Sequence, residues 1–209
     1  VQDSQNFSAE FLNGVGRTVG VNYVTDDAKA FMETNGGNRT VVSMRTDPIQ
    51  PSQTQVIKYL PDGFDGGTDG KTFGFDARLA GNDWIVLRYA DILLMHVEAI
   101  LAGNNETNSA AALASFQKVR NRAGFTDLVT SITKNDLLAE RRAELAFENQ
   151  RFYDVIRFGK GVEIFGAYAI SIGANFTSND LLLPFPQIEI GLSKGCLLYT
   201  SDAADEQQR

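Results

Sequence analysis

Residues 84–103, WIVLRYADILLMHVEAILAG, are followed by 109–124, SAAALASFQKVRNRAG, and by 133–159, TKNDLLAERRAELAFENQRFYDVIRFG. Apolar residues recur at helical spacing in all three, and the charges are confined to stripes. In the first stretch Arg88, Asp91 and Glu98 fall within about 80° of one another at about 100° per residue, while almost everything else is apolar. This predicts a helix buried nearly all round. In the third, Leu138, Leu145, Phe152 and Ile156 form one apolar line, and Glu140, Glu144, Glu148, Arg151 and Asp154 share a roughly opposite sector. One continuous helix held between an apolar and an ionic environment is the expectation. Gly103-Asn104-Asn105 should end the first helix, Asn108 should cap the second, and Gly124 should stop it. Ala112, Phe116, Val119 and Ala123 are spaced to face a partner, so the first two helices are predicted to form an antiparallel hairpin of tetratricopeptide type. Only one convincing copy is visible, whereas a solenoid of such repeats needs about three. Thr133, with Asp136 three residues on, has the spacing of a capping box.

Outward from this block the patterning loosens. Residues 1–80 carry Gly14, Gly16, Gly20, Gly36-Gly37, Pro48, Pro51 and the run Pro61-Asp62-Gly63-Phe64-Asp65-Gly66-Gly67-Thr68-Asp69-Gly70. Turn-formers at that density predict a loop-rich portion with short strands and one short helix around Ala28 to Phe31. Val41-Val42-Ser43-Met44 and Gln55-Val56-Ile57-Lys58-Tyr59-Leu60 read as strands from their β-branched content. On the other side, residues 160–195 read as an extended C-terminal segment, with Pro184-Phe185-Pro186 kept out of a helix because each proline disfavours a helical predecessor.

Several blocks in this order resemble the C-terminal region of the SusD/RagB family. They are Arg88-Tyr89-Ala90-Asp91-Ile92-Leu93-Leu94-Met95 with Glu98-Ala99, then Val119-Arg120-Asn121-Arg122-Ala123-Gly124, then Glu140-Arg141 with Glu144-Leu145-Ala146-Phe147-Glu148. Arg151, Asp154, Arg157 and Gly159 continue the pattern, and Leu182-Leu183-Pro184-Phe185-Pro186-Gln187 closes it. Fainter echoes lie in Asn38-Arg39-Thr40 and Ile57-Lys58-Tyr59. His96 stands where the family more often has an aromatic residue. The resemblance implies a mostly α-helical SusD-like fold, with this chain as the C-terminal part of it. It also implies a non-enzymatic surface lipoprotein of Bacteroidetes that captures oligosaccharide beside a SusC-like TonB-dependent transporter in the outer membrane. The implied contact with the membrane is a lipid anchor on an upstream segment. The RagB branch implies a peptide ligand instead, and an intracellular tetratricopeptide adaptor is the reading from another class.

The family pattern stops after Gly195, where the family would finish in an Asn-Pro-Gly-aromatic turn. Residues 196–209, Cys196-Leu197-Leu198-Tyr199-Thr200-Ser201-Asp202 and onward, resemble a translated transposon-type sequencing adapter and are set aside here as an artefact. Domain 1–195 then contains no cysteine, because Cys196 is the single one in the chain. This removes disulfide, metal–thiolate and cysteine-nucleophile chemistry. Setting the tail aside also takes a net charge of −2 from the formal −7 and leaves −5. A mildly acidic chain disfavours nucleic acid, which selects clustered Lys and Arg. No apolar run reaches the roughly 18 residues of a membrane-spanning helix.

The charges between Glu140 and Arg157 could be taken for acid/base groups, but acids and arginines alternate there at spacings of three and four. That arrangement lowers carboxylate pKa values and fixes geometry, whereas catalysis needs two carboxylates pushed apart around one substrate. Arg88, Asp91, Glu140, Arg141, Glu144, Glu148, Arg151 and Asp154 are therefore assigned to a structural ion-pair network, with no catalytic residue, no metal and no cofactor. A helical glycosidase is disfavoured for the same reason. His96 has no second His or Cys to complete a metal set, and Asp62, Asp65 and Asp69 lack the spacing of a calcium loop. Sugar rings stack on aromatic faces. Trp84 opens an apolar run and reads as core, so the candidate ligand-binding residues are the loop aromatics Phe64, Phe73, Phe75, Tyr23 and Phe11.

Overall fold

The described residues of the computed structural model, 24–46, 54–58, 85–183 and 185–193, are mostly helical. The chain divides into two compact units, Val1–Phe158 and Gly159–Arg209.

The first unit begins with α1 (Asp26–Asn35), where the Thr25 hydroxyl accepts the amide of Ala28 and two aspartates occupy the first turn. Both features favour a helix start, the first by satisfying an orphan amide and the second through the helix dipole. A tight turn leads to α2 (Arg39–Ser43) and then to β1 (Met44–Thr46), which pairs antiparallel with β2 (Thr54–Val56), Met44 opposite Val56. α3 (Tyr89–Leu101) and α4 (Ala110–Arg122) form the anticipated hairpin. Its antiparallel sense follows from two contacts: His96 Nδ1 meets Ser115 Oγ at 2.9 Å, while the earlier Tyr89 meets the later Lys118. Leu94, Val97 and Leu101 from α3 are buried against Ala112, Phe116 and Val119 from α4. A fully buried Val, Leu or Phe contributes about 1.5–3 kcal/mol, and this seam belongs to the larger of the two apolar clusters among the described residues. β3 (Glu106–Thr107) pairs antiparallel with β4 (Ile132–Thr133), bringing Ile132 into the same core. α5 (Lys134–Glu144) follows, opened by the expected capping box between Thr133 and Asp136. Its Leu137 joins the hairpin core, and its Ala143 joins a second cluster with Val24, Met32, Met44 and Val56. α5 thus lies between two cores. α6 (Arg151–Arg157) closes the unit.

Gly124 ends α4 with φ +90, a conformation available to glycine at little cost, and a Cβ there would lie 2.7 Å from Nδ2 of Asn38. The bare backbone lets the Asn38 amide reach the Ala123 carbonyl at 2.9 Å, which joins the α1–α2 turn to the end of the hairpin.

Several expectations are corrected. Residues 85–88 are not helical, and Ile85, Val86 and Leu87 are 60%, 74% and 68% exposed. Tyr89, Ile92 and Met95 are also exposed, so α3 has an apolar face that the described residues of this unit leave uncovered. Arg88 keeps an extended backbone at φ −141. The single third helix is two: after Glu144 the chain breaks, with Phe147 at φ 67 and Asn149 at φ 60. The carbonyls of Glu144 and Ala146 at the break accept from Lys58 Nζ at 3.1 and 3.0 Å, a partner far away in sequence. Val41 and Val42 lie in α2 and are exposed rather than in a strand, because local bonds from Arg39 to Gly36 and Thr40 to Met32 and long-range bonds from Arg39 to Glu140 and Glu144 outweigh β-propensity there. The cap of α4 is Ser109 and not Asn108.

In the second unit residues 160–195 are not one extended segment. They form α7 (Gly161–Ser171), a 3₁₀ turn Ser178–Leu181 and α8 (Gln187–Leu192). A Cβ at Gly161 would lie 2.7 Å from a Leu181 methyl, so this glycine serves close packing, while the positive φ of +71 falls at Gly159. Phe165 and Phe176 pack with ring centroids 6.4 Å apart.

Candidate functional site

α5 turns Glu140 and Glu144, one helical turn apart, to the same side, and both are almost fully buried. Arg39 from α2 reaches both, with Nη1 at 2.6 Å from Glu140 Oε1 and 2.9 Å from Glu144 Oε2. Arg88 places Nη1 at 2.6 Å from the other oxygen of Glu144 and Nε at 2.8 Å from Glu148. Lys58 completes the group at 2.5 Å from Glu148, and Arg122 approaches Glu144 at 3.3 Å. Burial alone would push the Glu144 carboxyl up, but the hydrogen bonds from Arg88 and Arg39 outweigh it and hold it below the ordinary carboxylate range. For Lys58 burial wins over its bond to Glu148 and lowers its pKa. A carboxylate held ionised by two guanidinium groups cannot serve as a proton donor near neutral pH. The arrangement fixes segments in place.

A second set lies around Arg141, itself buried. Its Nη1 donates to Asp91 at 2.8 Å and its Nε to Asp154 at 2.9 Å. Asp154 also accepts from Arg157 at 2.8 Å, and Arg157 grips Glu98 with bonds of 2.6 and 3.0 Å. These bonds tie α3, α5 and α6 together.

Beside Glu140 lies a cleft of about 420 Å³. Thr34 and Asn35 at the end of α1 form one wall, and Asp136, Ala139 and Glu140 of α5 another. The rest is Phe116 and Arg120 of α4 and the loop 125–131. That loop is pinned throughout. Gln117 donates to the Asp127 carbonyl at 3.1 Å and accepts from the Val129 amide at 3.0 Å. Arg120 Nη2 holds both carboxylate oxygens of Asp127 at 2.9 and 3.1 Å, and its guanidinium sits 4.7 Å from the centre of the Phe125 ring. Nε of Arg120 is buried with no partner among the described residues.

Seven of the eight residues assigned from sequence to the ionic network are ion-paired, but in two sets: Arg88, Glu140, Glu144 and Glu148 in one, and Asp91, Arg141 and Asp154 in the other. Arg151 is the exception. Its Nη1 is buried without a hydrogen-bond partner among the described residues, and burial plus repulsion from Arg142, against attraction from Asp154 and Asp27, pulls its guanidinium down to about 10. Sequence reasoning missed Arg39, Lys58 and Arg120 as partners. The first two were visible as single cations in otherwise uncharged strings, NRTVVSM and QVIKYL. Phe64, Phe73, Phe75, Tyr23 and Phe11, together with Trp84 and the segment 196–209, lie outside the described residues. No described helix is long and apolar enough to cross a membrane.

Comparison with known proteins gives consistent matches. The SusD family model matches residues 10–207, which includes most of the terminal stretch set aside on sequence grounds. SusD-like protein P2 of Formosa agariphila is 32% identical over 129 residues, 56% of this chain and 25% of that protein. A SusD-like protein of Bacteroides ovatus is 34% identical over 101 residues, 48% of this chain and 18% of that protein. The matches thus span a quarter or less of these relatives. A solved crystal structure shares the fold with a TM-score of 0.60 at 25% identity, over 78% of this chain and 34% of the other.

Proposed function

Because this chain belongs to the SusD family, we propose that it is part of a non-enzymatic receptor that captures oligosaccharide at the cell surface and passes it to a SusC-like TonB-dependent transporter in the outer membrane. The family match is the observation that carries this reading. The ionic core supports it, since its carboxylates are paired with cations, an arrangement for rigidity and not for bond chemistry. On this reading the protein is a surface lipoprotein anchored through an upstream segment. The loop aromatics Phe64, Phe73, Phe75, Tyr23 and Phe11 then offer stacking faces to the glycan.

The test is calorimetry of the full-length parent protein with panels of oligosaccharides and of peptides, with chromatography of the recovered ligand. Saturable binding of an oligosaccharide that is recovered intact is the expected result. Saturable binding of peptides alone, or a cleaved glycan, contradicts the reading. Phe64→Ala and Phe75→Ala are expected to weaken glycan affinity several-fold, because stacking on an aromatic face is worth about 1 kcal/mol. If both variants bind like the parent, the ligand sits elsewhere.

A further inference from the structure

We propose that the cleft between α1, α5 and the loop 125–131 is a subsite for one neutral, hydroxyl-bearing sugar unit; the inference rests on the receptor reading and assigns it a ligand class and a place. The volume of about 420 Å³ lies within the ~300–1,000 Å³ range of small-molecule sites. The wall carries Asn35, Asp127, Thr130 and Asp136, all exposed and all able to bond hydroxyl groups. Arg120 adds a guanidinium to the same lining, so the wall offers N–H donors as well as carboxylate acceptors. A sugar hydroxyl answers both needs, since it accepts from a guanidinium and donates to a carboxylate.

Charge narrows the class. Arg120 is the single cation among the lining residues, and it is already engaged by Asp127. Asp127, Asp136 and Glu140 make the wall net negative, which disfavours uronate and sulfated units. Rigidity favours binding as well. Gln117 and Arg120 hold the loop before any ligand arrives, and the capping box with Thr133 fixes Asp136. Little ordering cost therefore remains to be met on binding.

The experiment is an amide chemical-shift titration of the ¹⁵N-labelled full chain with methyl β-cellobioside, maltose and digalacturonate. Saturable shifts at Asn35, Thr130 and Ala139 with a neutral disaccharide, and none with digalacturonate, are expected. Ala139→Trp, which fills the cleft from α5, is expected to weaken that binding by at least about tenfold with the amide spectrum elsewhere retained. Thr130→Trp on the exposed loop gives the same readout should Ala139→Trp fail to fold. Saturable shifts confined to other residues, or full affinity in the filled variants, overturn the subsite and leave the receptor reading intact. Stronger binding of digalacturonate overturns the ligand class. Silence of the cleft amides with both neutral sugars also overturns the subsite, whereas the receptor reading falls only if the full-length protein binds no oligosaccharide in calorimetry.

Discussion

Glu144 receives Arg39 and Arg88 on its two carboxylate oxygens, with Arg122 nearby, so the charges meeting there depend on one side chain. Removing one member of a buried ionic group typically costs about 3–5 kcal/mol, because the partners are left uncompensated. Glu144→Ala should lower the unfolding free energy from denaturant titration by an amount of that order, and an unchanged stability with lost ligand binding would make the residue part of the ligand site instead. The pH dependence has a definite sign. The folded pKa of Glu144 lies below its ordinary 4.5, so its contribution is complete above that value and is lost as pH falls through the folded pKa. Denaturation at a series of acidic pH values should show stability falling below about pH 4.5, and Glu144→Gln should flatten that fall. Arg151 behaves oppositely. It stays protonated at neutral pH while its buried Nη1 lacks a partner among the described residues. Arg151→Met should therefore leave stability within about 0.5 kcal/mol or raise it. A loss of several times that would show that the guanidinium has a partner of real worth.

The helices and their ends were readable where the determinant is local. The Thr133–Asp136 box, the Gly124 stop and the buried line Ala112, Phe116, Val119 and Ala123 all appear in the sequence as they do in the fold. The break after α5 was not readable, because the helical pattern runs through it. Its determinants are Lys58 on the freed carbonyls and Glu148 turned toward Lys58 and Arg88. Asn149 was the local hint, since Asn tolerates a left-handed backbone. Asn149→Val, which puts a branched Cβ at φ 60, should cost roughly 1–2 kcal/mol by equilibrium denaturation; no cost would mean that the break relocates easily. The ligand-facing part of the candidate site was less readable still. The cleft draws on α1, α4, α5 and a loop, and its donor Arg120 looks in sequence like any polar residue on a helix.

At the scale of the whole molecule, the family and the mostly helical fold were legible because several motif blocks occur in order between Arg88 and Gln187, and the family match is broader, over residues 10–207. Deletion of residues 196–209 should leave the melting midpoint unchanged if that tail is foreign, and a clear drop would show that it packs on the fold, in line with a match that reaches residue 207. Lys58 and Arg88 meet on the same carboxylate, that of Glu148, so two positions far apart in sequence are held at one point. Closure entropy grows only logarithmically, at about 0.6 kcal/mol per doubling of loop length. A change in the number of residues between these two anchors therefore costs little in closure entropy. Insertion or deletion there is thus a low-cost route to variety for a lineage shifting to a new nutrient.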